Sequence, residues 1–176
     1  AQLLSHLEQN NLLNPHQSAY RRGHSTETAL LRIVNDLLTG FDDDKISLLA
    51  LLDLSAAFDT IDHSILLNRL QHSFGVTDLA LSWLSSYLTD RTQTVSVSGK
   101  YSAPSLLTFG VPQGSVLGPI LFVLYASPVS DIINRHSMLH ESFADDTQLH
   151  QSALITEIDT LVYQTQECIT DLKTWM

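Results

Sequence analysis

Asp145 and Asp146 stand side by side, after the short apolar run that ends in Phe143-Ala144 and before Thr147-Gln148-Leu149. Adjacent carboxylates repel each other and resist joint burial, so a cation is the simplest partner that would hold them together. A third acid, Asp53, closes the apolar run Ile46-Ser47-Leu48-Leu49-Ala50-Leu51-Leu52. Three carboxylates delivered by strand ends suit a two-metal phosphoryl-transfer site, whose ions stand about 3.5–4 Å apart. Magnesium takes hard oxygen ligands, and aspartate is short enough to present them rigidly. Taken singly these acids say little: most Asp-Asp pairs are solvated surface turns, and an isolated Asp53 is no more specific.

The elements that must position these acids follow from periodicity. Leu3, Leu4 and Leu7 predict a short helix closed at Asn10-Asn11. Residues 17–24 have no period and predict a basic loop or edge strand. Ser25 is the expected N-cap of an amphipathic helix that carries Leu30, Leu31, Val34, Leu37 and Leu38 and ends near Gly40. Asp42-Asp43-Asp44 lacks the ligand spacing of a calcium loop and is expected to be a solvated turn. The run 46–52 is expected to be a strand covered on both faces. Two more helices follow, one through Ile65, Leu66, Leu70 and Phe74, the other through Leu79, Trp83, Leu84 and Tyr87. Residues 92–98 alternate as a strand, with Gly99-Lys100 as its turn and residues 105–109 as its return. Pro119 fits the first turn of an apolar helix that starts close to Ser115. A hairpin around Asp145-Asp146 is expected to place aspartate in the unusual dihedrals of its turn. A long helix bearing Leu154, Ile158, Leu161, Val162, Ile169 and Leu172 closes the chain. Helices and strands mix without strict alternation, which predicts an α+β fold.

Composition bounds the reading. The chain has 176 residues, enough for one domain, and 44% of them are hydrophobic, enough for a core. A net charge of −10 opposes nucleic-acid binding by simple attraction and on its own suits an ordinary acidic soluble protein. The single cysteine, Cys168, excludes an internal disulfide and is expected to pack in a core. The histidines show no zinc-ligand spacing. No apolar run approaches the roughly 20 residues of a membrane span, so no membrane partner and an intracellular location are expected. Both ends fall inside helical patterns, so the chain is expected to be a piece of a longer protein.

Order lifts these signals above their individual weight. Asp53-Leu54-Ser55-Ala56-Ala57-Phe58-Asp59, then Gly110-Val111-Pro112-Gln113-Gly114-Ser115-Val116-Leu117-Gly118-Pro119, then Phe143-Ala144-Asp145-Asp146 resembles the A, B and C motifs of reverse transcriptases. Arg21-Arg22-Gly23-His24-Ser25-Thr26 is similar to the fingers motif of the same family. Asp59-Thr60-Ile61-Asp62-His63 and Asp145-Asp146-Thr147-Gln148-Leu149 narrow the resemblance to the LINE-type, non-LTR retrotransposon branch.

The resemblance implies a right-hand polymerase palm, an antiparallel sheet packed on helices, with part of the fingers. Residues 1–45 would be the fingers portion and 46–176 mainly palm, in a single partial domain. It implies an RNA-directed DNA polymerase that uses two Mg2+ ions, with Mn2+ as a substitute. Asp53 and Asp145 would be the catalytic metal ligands and Asp146 would complete the triad. Phe58 matches the steric gate that excludes a ribose 2′-hydroxyl; otherwise it is a core aromatic at a helix start. Gln113 and Gly114 match the turn that lines the nucleotide pocket and template. Arg22 matches the position that meets the triphosphate, and Arg21 could share the role; a solvated loop arginine is the alternative for either. Asp59, Asp62 and His63 are expected to be structural. The implied partners are an RNA template, a DNA primer, dNTPs and other parts of a retrotransposon polyprotein. The family pattern continues past this chain with a lysine-bearing motif, a primer grip and a thumb. Ala126-Ser127-Pro128-Val129 departs from that pattern and predicts a shifted helix end. A truncated, non-catalytic palm-like remnant is the alternative from a different class.

Overall fold

The computed structural model describes residues 2–54 and 58–175. Ser55, Ala56 and Ala57 of the first motif, and the terminal Ala1 and Met176, lie outside the described residues. In chain order the elements are α1 (Gln2–Gln9), α2 (Thr26–Asp42), β1 (Ile46–Leu52), α3 (His63–His72), α4 (Asp78–Leu88), β2 (Arg91–Gln93), β3 (Ser96–Val97), β4 (Lys100–Tyr101), β5 (Ser105–Leu107), α5 (Gly118–Tyr125), α6 (Pro128–Arg135), β6 (Leu139–Phe143), β7 (Asp146–Ala153), a 3-10 turn (Ile155–Glu157) and α7 (Ile158–Trp175). Helices and antiparallel pairs mix, as an α+β fold requires. The chain divides into two compact units, residues 13–55 with 126–176, and residues 1–12 with 56–125.

The first unit is built on one antiparallel sheet in the order β1-β7-β6. Register runs from Ile46↔Ala153 to Leu52↔Thr147 on one side of β7, and from Leu139↔His150 to Phe143↔Asp146 on the other. One face carries Leu149 into a core with Val129, Ile132 and Ile133 of α6, Met138, and Cys168 and Leu172 of α7; Ala50 and Leu52 pack against it. Cys168 is therefore a packing residue, and burial pushes its thiol pKa up. The opposite face meets α2, where the Ser25 N-cap forms a capping box with Thr28.

One expectation is corrected here. β1 is not covered on both faces: Leu49 and Leu51 are 45% and 72% exposed. It is an edge strand, and of its residues Ala50 and Leu52 pack against the α6–α7 core. α2 ends at Asp42, near Gly40 as expected, and Gly40 is the residue over which Ser152 closes, its Cβ only 2.8 Å from where an added Cβ would stand.

In the second unit, α3 packs on α4 and α5. Asp62 caps α3, accepting the Ser64 and Ile65 amides at 2.8 and 3.0 Å; the Ser64 hydroxyl first, then these amides, hold its carboxyl below the usual range. The strand expected over 92–98 is broken in two. β2 pairs with β5, while β3 and β4 form a separate small hairpin around Gly99. After α5 the chain turns and restarts as α6, with Pro128 at the helix start where its missing N–H costs nothing. The shifted end expected there is thus a full helix break.

Candidate active site

Four of the anticipated site residues, Asp53, Asp145, Asp146 and Arg22, belong to the sheet unit. β1 and β7 run antiparallel, and their last pair is Leu52↔Thr147. Asp53 and Asp146 are the next residues beyond that last pair, so two acids stand at neighbouring strand ends. Like charges so placed destabilise a sheet unless something neutralises them. Asp53 and Asp146 are exposed and Asp145 is half-buried. Among the described residues no three His, Cys, Asp or Glu side chains converge closely enough to hold an ion as they stand. The all-carboxylate donor chemistry nonetheless fits magnesium or manganese.

Asp145 sits in the tightest part of the hairpin. Phe143 pairs with Asp146, leaving Ala144 and Asp145 as a two-residue loop. Only Ala144 has a positive φ, at 58°. This is the pattern of a type II′ turn, which puts the unusual dihedral on the first central residue. The expectation that aspartate would take that dihedral is corrected: alanine takes it, at a cost of about 1–3 kcal/mol.

Gln17, buried at 6% exposure, meets this turn. It was not anticipated as a site residue, and its periodless neighbourhood gave no signal for it. The Ala144 N–H donates to Gln17 Oε1 at 2.9 Å, and Gln17 Nε2 donates to the Ala144 carbonyl at 3.1 Å. The backbone on either side is locked as well: Ser142 N–H donates to His16 O at 2.7 Å and Ser18 N–H to Ser142 O at 2.9 Å. Gln17 thus forms a single parallel bridge with Ser142 of β6. Nearby Tyr20 has its phenol pKa raised, first by burial and then by the charge of Asp145. Arg21 donates to the Asn14 carbonyl at 2.9 Å, whereas Arg22 is exposed.

The other three, Phe58, Gln113 and Gly114, belong to the helical unit. Phe58 is half-buried and its ring lies 5.0 Å from that of buried Phe122 on α5. Its backbone is tied to the next motif, since Val111 N–H donates to Phe58 O at 2.9 Å and Gly110 N–H to Ile61 O at 2.8 Å. Gly110 is required there. Its φ is +83°, and a Cβ would stand 3.0 Å from the backbone of Phe58 and Asp59. His63 Nε2 donates to the Gly110 carbonyl at 2.7 Å, the structural role expected of it. Gln113 and Gly114 are exposed, and nothing lies within 4 Å of where a Gly114 Cβ would be. The turn after them is closed by Ser115, whose hydroxyl donates to Pro112 O at 2.7 Å and accepts the Gly118 N–H at 2.9 Å.

Comparison with known proteins gives the family and the fold. The family described as "Reverse transcriptase (RNA-dependent DNA polymerase)" matches residues 1–176. The "Probable RNA-directed DNA polymerase from transposon BS" of Drosophila melanogaster is 30% identical over 174 residues, which are 96% of this chain and 19% of that protein. The RNA-directed DNA polymerase from mobile element jockey of the same fly is 33% identical over 168 residues, 90% of this chain and 18% of that protein. The chain therefore spans less than a fifth of these relatives. Among solved structures, apo telomerase from Candida tropicalis, truncated from its C-terminal domain, superposes with a TM-score of 0.67 at 19% identity. It covers 96% of this chain and 35% of its own. Telomerase from Candida albicans gives 0.67 at 17% identity, over 92% and 31%. These two show the fold, a polymerase palm. On the full-length family match, the chain belongs to the reverse transcriptases, on the LINE-type, non-LTR retrotransposon branch.

Proposed function

We propose that this chain carries the nucleotidyl-transfer centre of an RNA-directed DNA polymerase of a non-LTR retrotransposon. The observation that supports it most is the register that leaves Asp53 and Asp146 at neighbouring strand ends, with Asp145 in the adjoining two-residue turn. In the reaction a primer 3′-hydroxyl loses its proton and its oxygen bonds to the α-phosphorus of a dNTP. The bond from that phosphorus to the bridging oxygen breaks, and pyrophosphate leaves. Asp53, Asp145 and Asp146 would hold two Mg2+ ions, or Mn2+ in their place. When bound, these supply activation of the hydroxyl and neutralisation of the triphosphate. Arg22 would meet the triphosphate, Phe58 would exclude the ribose 2′-hydroxyl, and Gln113 with Gly114 would line the nucleotide pocket.

The remaining assignments are proposals of the same kind. Residues 1–45 would be a fingers portion and 46–176 mainly palm. The partners would be an RNA template, a DNA primer, dNTPs and the rest of a polyprotein, inside the cell. Among the described residues no helix is long and apolar enough to cross a membrane. A second reading, a non-catalytic remnant of the palm, is favoured by the net charge of −10, which opposes retention of a polyanion. Primer extension separates the two. A longer polypeptide carrying this chain should extend a primed RNA template with dNTPs and Mg2+, and stop when the metal is chelated. Failure to extend under any divalent metal would favour the remnant.

A further inference from the structure

We infer that Gln17 is a positioning residue for Asp145, an inference that rests on the metal-site reading above. Types I′ and II′ differ by a flip of the peptide between the two central residues, here Ala144-Asp145. The carbonyl of that peptide belongs to Ala144, and Gln17 Nε2 donates to it at 3.1 Å. Gln17 Oε1 meanwhile accepts the Ala144 N–H at 2.9 Å and the Ala19 N–H at 3.0 Å. One side chain therefore holds both peptide groups of Ala144 and fixes which way the central peptide faces. Alanine has no preference for the first position of a type II′ turn, where glycine is usual. With the clamp removed, the turn is free to flip toward type I′, which moves a positive φ onto Asp145 and swings its carboxylate away from the end of β7. The clamp cannot itself drift: His16 and Ser18, on either side, are hydrogen-bonded to the backbone of Ser142 at 2.7 and 2.9 Å. Gln17 touches no substrate in this account. It acts through the direction of Asp145.

The test uses this chain with Mn2+ alone, read by the electron paramagnetic resonance signal of free ion, together with amide hydrogen exchange at Ala144. Gln17→Met keeps the volume and removes all three side-chain hydrogen bonds. It should weaken Mn2+ binding about fivefold to tenfold and speed exchange at Ala144 by a similar factor. Asp145→Asn should weaken Mn2+ binding while leaving Ala144 exchange unchanged. Cys168→Ala, which loosens the α6–α7 core, should lower stability without changing Mn2+ affinity; a purely structural role for Gln17 would make Gln17→Met behave like it. Wild-type Mn2+ affinity in Gln17→Met, with weakened binding in Asp145→Asn, would overturn this inference and leave the metal reading standing. Wild-type affinity in Asp145→Asn would overturn both. If Gln17→Met does not fold, Gln17→Glu keeps the acceptor and loses the donor. It should weaken Mn2+ binding in the same direction, and wild-type affinity there would equally overturn the inference.

Discussion

Ser130 Oγ lies 2.6 Å from His140 Nε2, with both side chains buried. Asn14 Nδ2 donates to the same hydroxyl, whose one proton and second lone pair serve the ring nitrogen in either tautomer. Burial, then the neighbouring His16 and His150, push the His140 pKa down from 6.5 to about 4. The folded state thus binds fewer protons than the unfolded chain between those values. Its contribution to stability is full above about pH 6.5 and is lost as pH falls toward 4, by up to about 3 kcal/mol. Urea unfolding of the wild type at pH 7 and pH 4.5 should show this loss, and His140→Gln should flatten the dependence. An equally steep slope in the variant would assign it to other groups.

Glu141 carries a buried carboxylate whose Oε1 meets Arg32 at 3.0 Å and His16 at 3.6 Å. Its Oε2 is buried with no hydrogen-bond partner among the described residues. The guanidinium is half exposed, so solvent screens the pair and its loss should cost less than a fully buried one. Arg32→Ala is expected to destabilise by about 1–2 kcal/mol. Adding Glu141→Gln should recover part of that loss, because the stranded charge disappears. Strict additivity in a double-mutant cycle would contradict the pairing.

Gly40→Ala is a third prediction. Alanine is normally the better helix former by about 1 kcal/mol. Here its methyl would meet Ser152 Cβ at 2.8 Å and the Ser152 hydroxyl closer still. Overpacking against β7 should dominate and lower stability by about 1–3 kcal/mol. Gly40→Ala with Ser152→Gly should recover most of it. A stabilised single variant would show that α2 shifts away without cost.

Phe58→Ala should admit ribonucleotides in primer extension by a polypeptide that carries this chain. The ring is held by Phe122 at 5.0 Å and by the Val111–Phe58 backbone bond, so in the proposed gate role it is rigid and its removal leaves space. The ratio of dNTP to rNTP incorporation should fall by at least about tenfold, the scale of a lost steric exclusion of about 1.4 kcal/mol. An unchanged ratio would return Phe58 to the role of a core aromatic.

Much of this was legible in the sequence because it is local. Ser25 capped α2 as its type and position predicted, and Asp62 capped α3. Leu149, Cys168 and Leu172 met in one core because helix and strand periods pointed them there. The errors are nonlocal. Residues 46–52 are apolar throughout, yet edge position, which no strand records in itself, leaves Leu49 and Leu51 exposed. α6 was missed because Pro128 marks a stop as readily as a start, although Val129, Ile132 and Ile133 carry a helical spacing. For the proposed site, the ordered motifs point to Asp53, Asp145 and Asp146. Gln17 was invisible, since it acts on a turn 127 residues away.

The central claim is that Asp145 serves nucleotidyl transfer, and primer extension tests it most directly. A longer polypeptide carrying this chain, given a primed RNA template, dNTPs and Mg2+, should lengthen the primer, whereas Asp145→Ala of equal stability should reduce extension by at least about a thousandfold, the order of a lost catalytic electrostatic contribution. Equal incorporation by wild type and Asp145→Ala would contradict the account.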